Sequence, residues 1–351
     1  MKEIKLKFVD MWSSFDPERS PLYLAFLHSG YPIRLCEKDP DYLVCSLFGH
    51  EALRPCYDDC IKIVRSGESY CPDFNLYDYA IAYETLSFGD RYLQAPAYFL
   101  DPPANRELFC RMQEKHLCVE EALQEKSAFC SFVYSNSATA HPLREELFHR
   151  LSQYRKVNSG GRFLNNIGMP DGVPDKLEFQ RKHKFVIACE NDAHPGYTTE
   201  KLLDAFAAHA VPIYWGDPQV CERFNPKAMI RVQDYPTLDA LVERVREVDN
   251  DDELYARMLA EPAMLDFEPY TPECYQAQLD AFIKHILDQP KEDAFRRNRW
   301  AYGKNYLKEH RQAFFSNTAT RPQSPLLWQG FKRLVPKSVK QRLKNAWRNR
   351  K

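Results

Sequence analysis

KFVIACENDAHPGYTTEKLLDAF (184–206) contains, in order, an apolar strand, a polar loop and the start of a helix. KFVIAC is apolar enough to be a central strand, which leaves Glu190 and Asn191 at its carboxyl end. Gly196-Tyr197 supplies a flexible turn, and either Thr198 or Thr199 suits the N-cap of the helix that follows. Leu202, Leu203 and Phe206 recur at helical spacing on one face. One residue is misplaced. Glu200 matches the positive end of the helix dipole, whereas the neighbouring Lys201 is repelled by it. Backbone N–H groups at such a helix start form an anion site, and a lysine there adds a full positive charge. The competing account is a solvated Lys201 paired with Asp204 or Glu200.

The same alternation extends through the chain. IKLKFVDMW (4–12), IRLCE (33–37), YLVCSLF (42–48), IKIVRS (61–66) and YAIAYET (79–85) read as strands, with helix-compatible pieces such as PLYLAFLHSG between them. APAYFLDPPANRELFC (95–110), with three prolines, reads as a connection or cover. A second series follows: SAFCSFVYS (127–135), a helix over about 142–154, KFVIACE, the helix from Thr199, VPIYWG (211–216), AMIRVQDY (228–235) and the amphipathic helix LDALVERVREV (238–248). The fold class is therefore α/β with largely parallel sheets. The boundary falls near residue 125, giving domains over 1–125 and 126–290, a helical segment over 291–320 and a tail over 321–351.

Ligands of such sheets sit at the carboxyl ends of the strands. Besides Lys201, two charged residues lie there. Arg144 opens the helix after SAFCSFVYSN, a second cation at the wrong helix end. Its planar fork suits two oxygens of a diphosphate, and a surface pair with Glu145 or Glu146 is the alternative. Glu68 follows IKIVRS in the first domain, as a candidate general base on the opposite wall or as an exposed loop residue.

Composition bounds the partners. Hydrophobic residues make up 44% and charged residues 28%, as in a soluble globular protein. A net charge of -1 gives no global reason to expect nucleic acid. Ten Lys or Arg and no Asp or Glu lie in 321–351; removing those ten positive charges from the total of -1 leaves -11 on the rest. No export signal or apolar run of about 18 residues is expected, and the eleven cysteines read as reduced thiols. Asp249-Asn250-Asp251 has metal-motif spacing but follows an amphipathic helix, so a solvated helix end is expected. Cys56, Cys60 and His50 are too loosely spaced for zinc.

In the tail, Val339, Leu343 and Trp347 fall on one helical face, with basic residues around the rest of the wheel. A basic amphipathic helix with tryptophans suits an anionic bilayer surface; nucleic-acid binding and a solvated tail are the other readings.

At these residues the sequence resembles the α-1,3/4-fucosyltransferases of glycosyltransferase family 10, most of all the bacterial members that decorate lipopolysaccharide. FVIACENDAHPGYTTEKLLDAFAAHAVPIYWGDPQVCERFNP carries the family's Glu-Asn, Tyr-x-Thr-Glu-Lys and Val-Pro-Ile-Tyr-Trp-Gly pattern. SGESYCPDFNLYDYAIAYETLSFGDRYLQAPAYF and FCSFVYSNSATAHPLREELF resemble its acceptor segment and its donor-arginine segment. The resemblance implies a GT-B architecture, two Rossmann-like domains facing across a cleft. It further implies Glu68 as catalytic base and Arg144, Asn191, Tyr197, Glu200 and Lys201 as donor-binding residues for GDP-fucose.

The expected activity is inverting fucosyl transfer to an N-acetyllactosamine-type acceptor, forming α-1,3 or α-1,4 bonds in Lewis-type glycans on lipopolysaccharide. No cofactor or metal is expected, nor nucleic acid. The expected location is peripheral, on the cytoplasmic face of the inner membrane, with 321–351 on anionic lipid. The alternatives are another GT-B nucleotide-sugar transferase or a non-catalytic, membrane-associated nucleotide-sugar-binding protein. No heptad repeats lie between Gln289 and Thr320, so no oligomer built on them is expected.

Overall fold

The computed structural model describes residues 3–96, 98–99, 104–114, 119–135, 138–298 and 300–317. Its strands form two sheets, and every strand pairing is parallel. The first contains β1 (Ile4–Val9), β2 (Ile33–Leu35), β3 (Tyr42–Cys45), β4 (Ile61–Arg65), β5 (Tyr79–Ala82) and β6 (Tyr92–Gln94), in the order β2-β1-β3-β4-β5-β6. The second contains β7 (Ala128–Phe132), β8 (Val157–Ser159), β9 (His183–Cys189), β10 (Val211–Trp215) and β11 (Ile230–Arg231), in the order β11-β10-β9-β7-β8. Each sheet therefore reverses direction beside its first strand, between β1 and β3 and between β7 and β9. Strands β3 and β10 are buried along their whole length, which explains their apolar runs without alternation.

The helices are α1 (Pro21–His28), α2 (Ala104–Glu114), α3 (Val119–Glu125), α4 (Leu143–Tyr154), α5 (Lys176–Arg181), α6 (Glu200–Ala207), α7 (Leu238–Asn250), α8 (Asp252–Ala260), α9 (Pro272–Asp288), α10 (Lys291–Ala294) and α11 (Ala301–Asn317). Two of them cross between the units. Leu108, Phe109 and Met112 of α2 pack with Leu202 and Phe206 of α6, in the core of the second sheet. Leu279, Ile283 and Ile286 of α9 pack with Leu6, Val44 and Ile63 in the first. A division at residue 125 with 126–290 as one unit thus separates α2 and α9 from the cores they complete, because amphipathic faces pack where they find apolar surface, not by chain order.

Three local readings also differ. The 228–235 strand shrinks to two residues, because 3-10 turns over Pro226–Ala228 and Val232–Asp234 occupy its flanks. Strands β6 (YLQ) and β8 (VNS) lacked an apolar run to announce them. Helix α2 occupies the end of the stretch read as irregular connection. No helix among the described residues is long and apolar enough to cross a membrane.

Candidate active site

The reversal between β7 and β9 opens a crevice at their carboxyl ends. Tyr134, two residues past β7, donates its hydroxyl to Ile187 O at 2.9 Å and accepts from Cys189 N at 2.7 Å, bridging into β9. The Arg144 guanidinium lies 4.2 Å from the Tyr134 ring centre. It donates to Cys189 O at 2.9 Å and to Asn191 Oδ1 at 2.7 Å. Only 2% exposed, Arg144 is thus held by the end of β9 rather than by Glu145 or Glu146. This local cradle overrides the unfavourable helix dipole and unites Arg144 with Asn191.

Lys201 sits beside it. Thr199 caps α6, its hydroxyl accepting from Lys201 N. Glu190, with no exposure, accepts from Thr199 N at 2.8 Å and Thr199 Oγ1 at 2.6 Å. Lys201 Nζ donates to Thr199 Oγ1 at 3.0 Å and pairs with Glu190 and Glu200, both at 3.4 Å. Asp204 pairs instead with Lys176. Burial raises the Glu190 carboxyl above its ordinary range, with Lys201 pulling the other way. Burial also disfavours the Lys201 charge, but Glu190 and Glu200 outweigh it and hold the ammonium above its usual pKa, against a smaller repulsion from Arg144. The helix start is therefore not an open set of amides. A carboxylate occupies it, and Lys201 balances that carboxylate.

Sequence reading missed Asp217, just past β10. Fully buried, it accepts from Gly196 N at 2.9 Å, Thr198 Oγ1 at 3.1 Å, Gln219 N at 2.8 Å and Arg223 Nη2 at 3.0 Å. It shapes the loop into α6. Its signal was the Gly216-Asp217 pair at a strand end. Gly216 is required because a Cβ there would lie 2.4 Å from Glu190 Cγ.

The two units meet at this loop. Ser69 Oγ donates to Asp192 Oδ2 at 3.4 Å, and Thr85 Oγ1 to Gln219 Oε1 at 2.8 Å. His194 lies between Asp192, at 3.4 Å, and Glu84, at 4.0 Å. Tyr197 is 1% exposed, its ring 4.6 Å from that of Tyr83. Burial raises its phenol pKa most, and the charges of Glu190, Glu68 and Glu200 add to this. Glu68 is exposed, and its backbone is fixed by Ser66 Oγ, which accepts from Glu68 N at 3.2 Å and donates to Glu68 O at 3.0 Å. Tyr197 thus lies within the fields of both the first-unit carboxylate, Glu68, and the second-unit pair, Glu190 and Glu200.

The rejected metal motif is more buried than expected. Asp249 pairs with Arg155 at 2.9 Å and Lys184 at 3.2 Å with its side chain fully covered, while Asp251 caps α8. Cys60 is buried on Pro40 O, Cys56 is exposed, and the His50 ring packs tilted against Phe314. No group of three or more His, Cys, Asp or Glu able to hold a metal occurs among the described residues. The 321–351 tail lies outside them.

Two parallel α/β units meeting at their strand ends, with Arg144 and Lys201 beside the crevice of the second, define the GT-B class of fold. The Alpha-(1,3)-fucosyltransferase FucT N-terminal domain matches residues 6–101, and the glycosyltransferase family 10 (fucosyltransferase) C-terminal domain matches residues 123–266. The chain belongs to glycosyltransferase family 10. It is 33% identical over 262 residues to the alpha-(1,3)-fucosyltransferase FucT of Helicobacter pylori, covering 66% of this chain and 54% of that relative. It is 35% identical over 138 residues to alpha-(1,3)-fucosyltransferase 4 of Mus musculus, covering 38% of this chain and 31% of that one. The chain thus spans about half or less of these relatives' length. A crystal structure of alpha1,3-fucosyltransferase with GDP-fucose superposes with a TM-score of 0.67 at 26% identity, over 85% of this chain and 93% of that one.

Proposed function

We propose that this chain transfers L-fucose from GDP-β-L-fucose, with inversion, to a GlcNAc hydroxyl of an N-acetyllactosamine-type acceptor, forming an α-1,3 or α-1,4 bond. The observation that carries this reading is the Arg144–Asn191–Lys201 cluster at the ends of β7 and β9, with Glu68 on the facing unit. The acceptor oxygen attacks the anomeric carbon, its proton passes to Glu68, and the bond from that carbon to the diphosphate oxygen breaks. Arg144 and Lys201 balance the charge that grows on the leaving GDP. Asn191 keeps the Arg144 fork aligned, and Glu200 and Tyr197 border the sugar-nucleotide site.

Two positive side chains stand where a divalent ion otherwise would, so turnover survives EDTA; complete loss in chelator, restored by Mn²⁺, would overturn metal independence. The decisive assay offers GDP-fucose with Gal-β-1,4-GlcNAc and Gal-β-1,3-GlcNAc and determines the linkage formed. Transfer to neither acceptor would overturn the reading.

The basic tail supports a peripheral site on the cytoplasmic face of the inner membrane, with Lewis-type glycans of lipopolysaccharide as product. The cut that tests it is placed after Asn317, because Arg311 of α11 pairs with Asp58 and Leu307 packs in the first unit. The truncated chain loses binding to anionic liposomes yet keeps turnover on soluble acceptors. Unchanged liposome binding would remove the membrane assignment.

A further inference from the structure

The first sheet's own reversal, between β1 and β3, carries aromatic rings at its carboxyl ends. Trp12 follows β1 and Phe48 follows β3. The Trp12 ring centre lies 6.4 Å from that of Phe48 and 4.9 Å from that of Phe15, both edge-on. The Arg65 guanidinium lies 4.8 Å from the Trp12 ring centre. Arg65 ends β4 and precedes Glu68 by one short turn, so Trp12 is fixed to the strand that presents the candidate base.

Phe48 is fixed as well, by an unusual backbone. Asp10 adopts φ 58°, and its carboxylate accepts from Glu51 N at 2.8 Å and Ala52 N at 2.9 Å. Phe48 N donates to Asp10 O at 3.1 Å. Gly49 is needed in that turn, since a Cβ would lie 2.2 Å from Asp10 Oδ1. On this braced turn Phe48 is 56% exposed. An exposed phenyl ring on a braced backbone at the carboxyl end of a sheet has the properties of a binding surface.

We propose that Trp12 and Phe48 form the platform for the acceptor's second sugar, a neutral β-galactosyl ring, while the adjoining GlcNAc presents its hydroxyl to Glu68. This rests on the fucosyl-transfer reading above. A β-galactose ring has its C3, C4 and C5 hydrogens on one face, an apolar surface that matches the negative face of an aromatic ring. Strands β1 and β4 are two strand spacings apart, roughly 10 Å, which suits two linked pyranose rings between platform and base. No charged partner is needed for such a ligand, in keeping with a cluster built from the rings of Trp12, Phe15 and Phe48.

The test compares kcat/KM for Gal-β-1,4-GlcNAc with that for GlcNAc alone, in wild type, Phe48→Ala, Phe48→Tyr and Trp12→Phe, with the GDP-fucose Kd by calorimetry. Phe48→Ala lowers the disaccharide-to-monosaccharide ratio about 3- to 10-fold, the size of one aromatic stacking contact. Phe48→Tyr, which keeps the ring, restores it. Saturation transfer from the protein to the galactose C–H protons weakens in Phe48→Ala in parallel. An unchanged ratio in Phe48→Ala and Trp12→Phe, with GDP-fucose bound as in wild type, would overturn the platform and leave the transferase reading standing. Failure of the wild-type protein to bind GDP-fucose would overturn both, and calorimetry reads that before any variant is made.

Discussion

Lys201 Nζ lies 3.4 Å from the fully buried carboxylate of Glu190, which itself holds the amide and hydroxyl of the α6 cap residue Thr199. The lysine that the helix dipole repels is thus retained by a carboxylate lodged at the same helix end. Balancing Glu190 is the role the contacts give this side chain; meeting the donor diphosphate is the role proposed for it above.

A double substitution separates them. Lys201→Ala strips the buried Glu190 of its lysine partner and lowers stability by about 3 kcal/mol, the lower end of the cost of removing one member of a buried pair, since Lys201 keeps a little exposure. Glu190→Gln in the same chain removes the stranded charge, so thermal unfolding returns towards wild type. GDP-fucose affinity, read by calorimetry, stays weak in the double variant. Recovery of donor affinity there would mean that Lys201 acts only by neutralising Glu190.

Glu68→Gln tests the facing wall. The amide keeps the size of the carboxylate and leaves the Ser66 brace untouched, because that brace uses only the Glu68 backbone. Single-turnover transfer falls about 100- to 10,000-fold, the usual range for losing a general base. The donor Kd changes little, since the donor cluster belongs to the other unit. Transfer at near wild-type rate would assign the proton to another group.

Arg144 and Lys201 were legible in the sequence because each breaks a local rule, a cation at the positive end of a helix. Their partners were not. Glu190 was visible as a strand end, but that it turns back to cap α6 depends on Gly216 leaving room for its side chain, a contact between two strands. Asp217 organises the same loop through four hydrogen bonds from residues spread over 196–223. Central strands such as β4 and β9 were readable from composition, whereas β6 and β8 are three-residue strands defined by their neighbours. Packing of α2 and α9 into the opposite units is likewise a tertiary choice, which no spacing within either helix encodes.

Lys62 on β4 gives a pH signature remote from the site. It has no exposure, and its ammonium has no hydrogen-bond partner among the described residues. Burial, with the Arg297 charge adding to it, lowers its pKa to about 8. An amine that loses affinity for its proton on folding destabilises the fold where it must be charged. The unfolded chain binds more protons between pH 8 and 10.5, so this residue's contribution to stability rises across that window as pH increases. Lys62→Met stabilises the protein at pH 7 by about 3 kcal/mol and flattens the wild-type difference above pH 8. Chemical denaturation of both proteins from pH 6 to 10 checks it; parallel curves would show that the amine finds a partner.

Gly196 decides whether the two halves of the site meet. It adopts φ +84°, and a Cβ there would lie 2.3 Å from the backbone oxygen of Tyr83 in the other unit. Gly196→Ala therefore costs about 1–2 kcal/mol for a left-handed L-residue and also forces the loop away from β5. The Tyr83–Tyr197 ring contact and the Ser69–Asp192 bond lie on either side of that point, so both loosen. Arg144, Asn191 and Lys201 are held within the second unit and keep their places, so GDP-fucose binds within a few-fold of wild type. Glu68 and the donor lose register instead, and a misplacement of about 1 Å between reacting groups lowers kcat on the order of 100-fold. A wild-type kcat in Gly196→Ala would show that the close approach of Gly196 to Tyr83 is not what aligns base and donor.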